Sequence, residues 1–298
     1  MLRGHTLSTS FRIAACLVAI GGAIAAACGS APPISRIEDR ARLDVPIAIC
    51  RKPIAPGEAN DAGVPRPDSY WEVLFPGFRG FGTAFNPNEP DCVGDPHVAD
   101  AKGPQGPAIQ IGQDDALVAP GPDGVQAVWF RSFHVTDKIG AGPLVLARPR
   151  PSELDVYAIG GFRGSLAHSR FELGRLGSVR TVVGYDDSCA DVKVDTECDS
   201  MVTFYVTAGG KLVPAAESPS QRIRFGTAKG LGKVQYRLTA DPPVFDKLTV
   251  RIHERLQVRD AGDEDVRKAE GDRVFVLNDD RTLVAQQDSL WSQVPKNP

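Results

Sequence analysis

The chain has 298 residues, and its 34 Lys and Arg stand against 37 Asp and Glu, a formal net charge of −3. That balance argues against a nucleic-acid partner, which ordinarily demands a basic face. The 30 Gly and 24 Pro suit short strands joined by many turns rather than long helices, and no fixed-period repeat is found.

The first residues carry Arg3, His5 and Arg12 with no acidic side chain, and positions 13–27 are apolar or small throughout. A charged start followed by such a run reads as a leader. The run falls short of the roughly 20 apolar residues that span a bilayer as a helix, and Gly21 and Gly22 weaken it as a helix. It ends in Ala25, Ala26, Ala27 and Cys28, followed by Gly29-Ser30-Ala31-Pro32-Pro33. These residues resemble the lipobox of bacterial lipoprotein signal peptides, although Ala25 stands where a leucine is more usual. The resemblance implies that Cys28 is the lipid attachment point, that positions 1–27 are cleaved, and that acyl chains such as palmitate, each burying ~0.8 kcal/mol per CH₂, hold the protein on a membrane. An ordinary secretory signal cut after Ala27 is the alternative. Gly29 stands where an aspartate would resemble an inner-membrane retention signal, so an outer membrane is the expected address if the envelope has two.

Positions 28–69 read as a lipidated amino terminus and linker, with a capping-box pattern at Ser35 and Glu38 that predicts a short helix over 35–43. Positions 70–298 read as one β-rich domain whose first part, 70–124, is rich in loops. Within it Trp71, Val73 and Phe75 alternate as in a strand, and Ala108 to Ile111 form an apolar island between Pro- and Gly-rich stretches. Strands are expected at 125–135, 144–147, 156–159, 169–173, 178–185, 201–207, 221–225, 234–239, 248–258, 273–277 and 282–286, divided by turn signals such as Gly209-Gly210 and Asp241-Pro242-Pro243. Positions 263–270 predict the one helix of this half, with Asp263 as N-cap, Glu264 facing Lys268, and Gly271 at the end. The expected fold is mainly β, an antiparallel sandwich or an up-and-down barrel, with long Pro- and Gly-rich loops in the amino-terminal third and one or two short helices.

Removing Cys16 with the leader and Cys28 to lipid leaves Cys50, Cys92, Cys189 and Cys198, an even number that suits disulfides in an oxidising compartment. Of the three possible pairings, closeness in sequence favours Cys189 with Cys198 and Cys50 with Cys92, each worth ~2.5 to 4 kcal/mol by loop entropy.

The acidic stretch around the smaller loop places Asp187, Asp191, Asp195 and Asp199 at four-residue spacing, a weak candidate for calcium, which takes oxygen ligands. No other cofactor is expected. His97, beside Asp95 and Asp100, lies in a long loop of the kind that carries catalytic residues, yet no nucleophile elbow occurs. Ser165 and His168 read as turn residues, His134 and His253 as half-buried packing residues of strands, and Gly77, Gly80 and Gly82 as a bulged strand or turn rather than a phosphate cradle. Trp71, Trp129 and Trp291 are candidates for a sugar-stacking platform, with core packing as the commoner fate of strand tryptophans.

The expectation is therefore an envelope lipoprotein with a binding or structural role toward a protein or glycan partner, and no residue is assigned to catalysis. The rival readings are a β-scaffold hydrolase using His97 with acidic loop residues, and a carbohydrate- or peptidoglycan-binding module.

Overall fold

Tyr70, Trp71, Leu74, Phe75 and Phe78 recur at the one- and four-residue intervals of a helical face, and in the computed structural model residues Pro67–Leu74 form the helix α1. The strand expected at Trp71 to Phe75 is thus corrected: alternation over three residues is outweighed by the longer helical pattern, with Pro67 at the first helical position, where its missing N–H costs nothing. The structure describes residues 52–53, 67–75, 78–82, 84–85, 109–150, 153–190, 192–193 and 196–295. The leader with Cys28, the helix expected at 35–43, Cys50, Cys92, His97, Asp191 and Asp195 lie outside these residues.

The remainder is mainly β. The strands are β1 (Lys52–Pro53), β2 (Ala84–Phe85), β3 (Ile109–Gln110), β4 (Ala116–Pro120), β5 (Gln126–Phe130), β6 (Phe133–His134), β7 (Ile139–Arg150), β8 (Glu153–Ser165) and β9 (Arg170–Leu176). There follow β10 (Val179–Tyr185), β11 (Cys198–Ala208), β12 (Lys211–Ala228), β13 (Gly232–Ala240), β14 (Val244–Asp246), β15 (Thr249–Asp260), β16 (Asp265–Leu277) and β17 (Leu283–Ala285). All but β2 and β3 join one 15-stranded sheet. Its neighbours are antiparallel, as short connections demand, except that Lys211 of β12 meets Ile159 of β8 in parallel.

That junction curls the sheet. From it β8, β7, β5 and β4 run one way, and β11, β10 and β9 run the other. The two arms face each other across a core of Trp129, Leu144, Leu146, Phe162, Phe171, Val182 and Tyr205. At the far side β4 and β9 come side by side with no ladder between them, tied by the Arg175 to Asp123 ion pair at 2.7 Å. The barrel is therefore not closed. A side chain at Gly121 would meet Leu173 at 2.6 Å, so the seam permits close contact without strand pairing.

Two further layers cover the curl. Outside β5, β7 and β8, α1 and the segment after it lay Trp71, Phe75 and Phe78 on Val128, Phe130, Val145 and Val156. Outside β10 and β11, the strands β15, β16 and β17 lay Val250, Ile252, Phe275 and Leu283 on Val183, Tyr185 and Phe204. A last cluster holds Tyr236, Leu238, Leu256 and Val258 under the carboxy-terminal turn, where Val294 and the partly buried Trp291 close it.

β12 is 18 residues long, although Pro214 and Pro219 argue against a strand over its first half. The ladder with β11 shifts register at both prolines, between Phe204 and Tyr205 and between Ser200 and Met201. Irregular rungs of this kind relieve a strand of the hydrogen bonds proline cannot give. The expected helix at 263–270 is also corrected: Asp263 sits in the turn with φ 64°, and β16 begins at Asp265. Eight residues make a marginal helix alone, whereas as a strand they supply the backbone partners of β15, with Glu270 opposite Arg255 and Lys268 opposite Gln257.

Candidate functional site

The acidic loop is stapled by the disulfide Cys189–Cys198, as its spacing predicts. By loop entropy the bridge is worth about 2.5–3 kcal/mol. It also carries β10 into β11 across a turn, where Asp186 accepts hydrogen bonds on Oδ1 from the amides of Met201 and Ser188 at 2.9 and 3.1 Å. Burial pushes the Asp186 carboxyl above its usual range, and those two amides oppose the shift. Asp187, at φ 41°, is likewise raised by burial, against the pull of Arg170 and His168. Arg170 reaches its Oδ2 at 3.0 Å and lies over the Tyr185 ring at 3.8 Å.

Asp199 is engaged at the other end of the loop, with Arg222 at 2.6 Å on Oδ1 and Arg224 at 2.6 Å on Oδ2. The two described acids of the calcium candidate are therefore each held by arginine and do not converge. Among the described residues no group of three His, Cys, Asp or Glu side chains is placed to hold a metal ion.

The remaining candidates fall where turns and packing need them. Ser165 is buried and its Oγ accepts from the amide of His168 at 3.2 Å, so the pair forms a turn rather than a nucleophile and base. His134, expected to be half-buried, is instead exposed at the strand end, 3.7 Å from Asp115. His253 donates through Nδ1 to Asp272 Oδ1 at 2.8 Å on the solvent side of β15. Gly80 and Gly82 adopt φ of 113° and 77° and shape a turn. Trp71 and Trp129 are fully buried, in different clusters, and Trp291 lies in a third, with Arg222 5.3 Å from its ring. The three tryptophans form no common platform.

A surface that sequence reasoning did not single out lies on the solvent side of the last strands. The even positions Val234, Tyr236 and Leu238 of β13 and Leu256 and Val258 of β15 are buried, so strand alternation turns the odd positions outward. The register aligns them in rungs: Ile223, Arg237, Gln257 and Lys268 in one, Phe225, Gln235, Arg259 and Asp265 in the next. An open groove of about 730 Å³ runs along Phe225, Lys233, Gln235, Arg259, Asp260 and Asp263. A smaller one, about 300 Å³, lies at Arg255, Gln257, Lys268 and Glu270.

The cations of this face are mostly paired. Arg255 holds Asp241 through two bonds at 2.7 and 2.6 Å, Arg259 holds Asp263 and Asp265, and Lys268 holds Asp265. Arg237 is different. Its Nε is buried without a hydrogen-bond partner, and it forms no ion pair with any described residue. The alternation in 233–239 and 253–259 was the signal for this surface, but the patterning that marks the inner face says nothing about which outer charges lack partners. Comparison with protein-family models, with curated proteins and with solved structures finds no match for this chain.

Proposed function

We propose that the chain is an envelope lipoprotein, held on a membrane by acyl groups on Cys28, whose β domain binds a ligand or partner rather than carrying out a reaction. The carrying observation is the Cys189–Cys198 disulfide. It suits an oxidising compartment, and it lies in a chain whose residues 25–28 resemble a lipobox. Several acyl chains hold a protein firmly where one binds only marginally, so no membrane-spanning segment of the folded domain is needed. The domain itself supplies a broad outward sheet face with grooves, which is a binding architecture. With Gly29 after the cysteine, the outer membrane is the proposed destination in a two-membrane envelope.

Cys28→Ser tests the anchor in cells by fractionation and by incorporation of labelled palmitate. Wild type is expected in the membrane fraction and labelled; the variant is expected unlabelled and released from membranes. A variant that partitions and labels as wild type does overturns the proposal.

A further inference from the structure

We infer that the free edge of β16 is a self-association surface, on which two copies of this chain pair antiparallel about a two-fold axis through Ala269 and so continue one sheet from copy to copy. This goes beyond the binding role proposed above and does not depend on the lipid anchor.

β16 is paired with β15 along its length, but on its other side β17 reaches only Phe275, Val276 and Leu277. Successive residues of a strand turn their backbone groups to opposite sides. The Leu277 amide donates to Leu248 on the β15 side, whereas the Val274 carbonyl accepts from the Gln286 amide on the β17 side. The even positions of β16 therefore present N–H and C=O outward. At Val274 the chain closes its own edge, since Gln287 Oε1 accepts from the Val274 amide at 2.8 Å. The outward backbone groups of Lys268, Glu270 and Asp272 meet no strand among the described residues. The register shift opposite Val258 and Arg259 ends the regular stretch at Arg267, so the open edge is 267–272. An open edge is a template for another strand.

The occupant is read from the charges of this edge. In an antiparallel pair an outward-turned residue faces another outward-turned residue, so a symmetric pair is centred on a residue and not between two. Centring on Arg267, Lys268, Glu270 or Asp272 sets a charge opposite itself, and centring on Gly271 sets Glu270 opposite Asp272. Centring on Ala269 sets Lys268 opposite Glu270 of the second copy, and Glu270 opposite its Lys268. Opposite charges directly across a ladder stabilise it and like charges destabilise it. Both side chains are exposed, with Lys268 2.7 Å from Asp265 and Glu270 3.8 Å from His253 within the copy. An ammonium has three donors and a carboxylate several acceptor sites, so each can take a further partner. On the other face the same centring sets Ala269 on itself and Gly271 opposite Arg267. Nothing lies within 4 Å of the place a Gly271 side chain would fill, so the long Arg267 crosses it without a clash. Charged side chains ordinarily keep edges apart; here they exclude the other registers and admit this one. One short edge makes a small interface, so a dimer of micromolar or weaker affinity is expected.

Sedimentation of the full chain in detergent, from micromolar to submillimolar concentration, tests the surface. Wild type is expected to shift from one copy to two. Lys268→Glu and Glu270→Lys are each expected to weaken the dimer roughly tenfold, and the double variant, which restores opposite charges across the axis, to recover wild-type association. All three are expected to melt as wild type does. Sharing of a micelle would not follow these charges. At a non-hydrogen-bonded antiparallel pair the Cα atoms lie about 4.5 Å apart, a distance that a disulfide spans. Ala269→Cys is therefore expected to link two copies through that position under mild oxidation, as read by peptide mapping, and to do so far faster than Val284→Cys on the exposed β17. No dimer at submillimolar concentration overturns the proposal. So does a double variant that associates no better than the single ones, or Ala269→Cys linking no faster than Val284→Cys. If Ala269→Cys fails to fold, the charge exchange carries the test alone. Cys28→Ser is expected to dimerise as wild type does, so the anchor and the edge fail separately.

Discussion

β10 and β15 are neighbouring layers of the same sheet and obey opposite rules. β10 buries nearly every residue from Val179 to Tyr185, with Val182 facing the curled core and Val183 facing β15 and β16. β15 alternates strictly, with Val250, Ile252, Leu256 and Val258 inward and Arg251, His253, Arg255 and Gln257 outward. A strand covered on both sides reads as a continuous apolar run, and a strand covered on one side reads with period two. The centre has no face open to solvent, and the carboxy-terminal wing has one, lined with charged and polar side chains.

The strongest way to break this contrast is to cut into the centre. Trp129 is fully buried, meets Phe162 edge-on with ring centroids 5.0 Å apart and meets Phe171 at 6.0 Å. Trp129→Ala is expected to cost about 3–5 kcal/mol in urea unfolding. Replacing Gln257 by Thr on the wing face is expected to stay within ~0.5 kcal/mol. A loss at Trp129 no larger than that at Gln257 would mean that the two arms do not share a core.

Most of the strand positions after 125 were legible because each carries its own pattern. Both elements misread, at 71–75 and at 263–270, lie where a short window admits two periods. Over 71–75 the wider spacing of Tyr70, Leu74 and Phe78 decides for a helix. Over 263–270 no local residue decides, and the choice comes from β15, whose unpaired backbone requires a partner. The first half of β12 was hidden for a related reason: Pro214 and Pro219 are tolerated only because β11 shifts register beside them. The site was less legible than the fold. The cysteine spacing gave the Cys189–Cys198 bridge, but Asp187 and Asp199 attracted notice as acids while their arginine partners Arg170, Arg222 and Arg224 lie 17, 23 and 25 residues away.

The wing has a core feature of its own that sharpens the comparison, a buried charge where an apolar residue is expected. Glu254 points inward between Ile252 and Leu256 and is 1% exposed. Its Oε2 accepts from Ser289 Oγ at 2.9 Å and from the Leu290 amide at 2.7 Å. Arg273 lies 3.7 Å from Oε1 and donates to Ser218 at 3.0 Å. The group thus fastens the carboxy-terminal turn to the sheet. Removing one member of such a buried set strands the others, at a cost of about 3–5 kcal/mol when the charge is fully enclosed. Arg273 retains some access to water, so about 3 kcal/mol is expected for Glu254→Ala, somewhat below Trp129→Ala. Limited proteolysis should then cut near 289–295 sooner than in wild type. Unchanged cleavage with an unchanged melt would deny the fastening role.

The smallest effect tests the turn that joins the two-sided centre to the disulfide loop. Burial raises the Asp186 carboxyl above the usual range, with Asp187 adding to the rise and the Met201 and Ser188 amides opposing it. The folded protein therefore holds this proton more tightly than the unfolded chain does. Its contribution to stability is fully present below the unfolded value and is lost as pH rises through the folded one. Asn at this position keeps an oxygen for both amides and never acquires the charge. Relative to wild type, Asp186→Asn is expected to be more favourable at pH 7 than at pH 4, the difference growing across the carboxylate range. Urea midpoints measured on both proteins from pH 4 to pH 7 give the sign. A gap that is constant with pH would mean that burial and the two amides cancel, and one that grows more favourable to Asn toward acid would mean that the amides outweigh burial and hold the carboxylate charged.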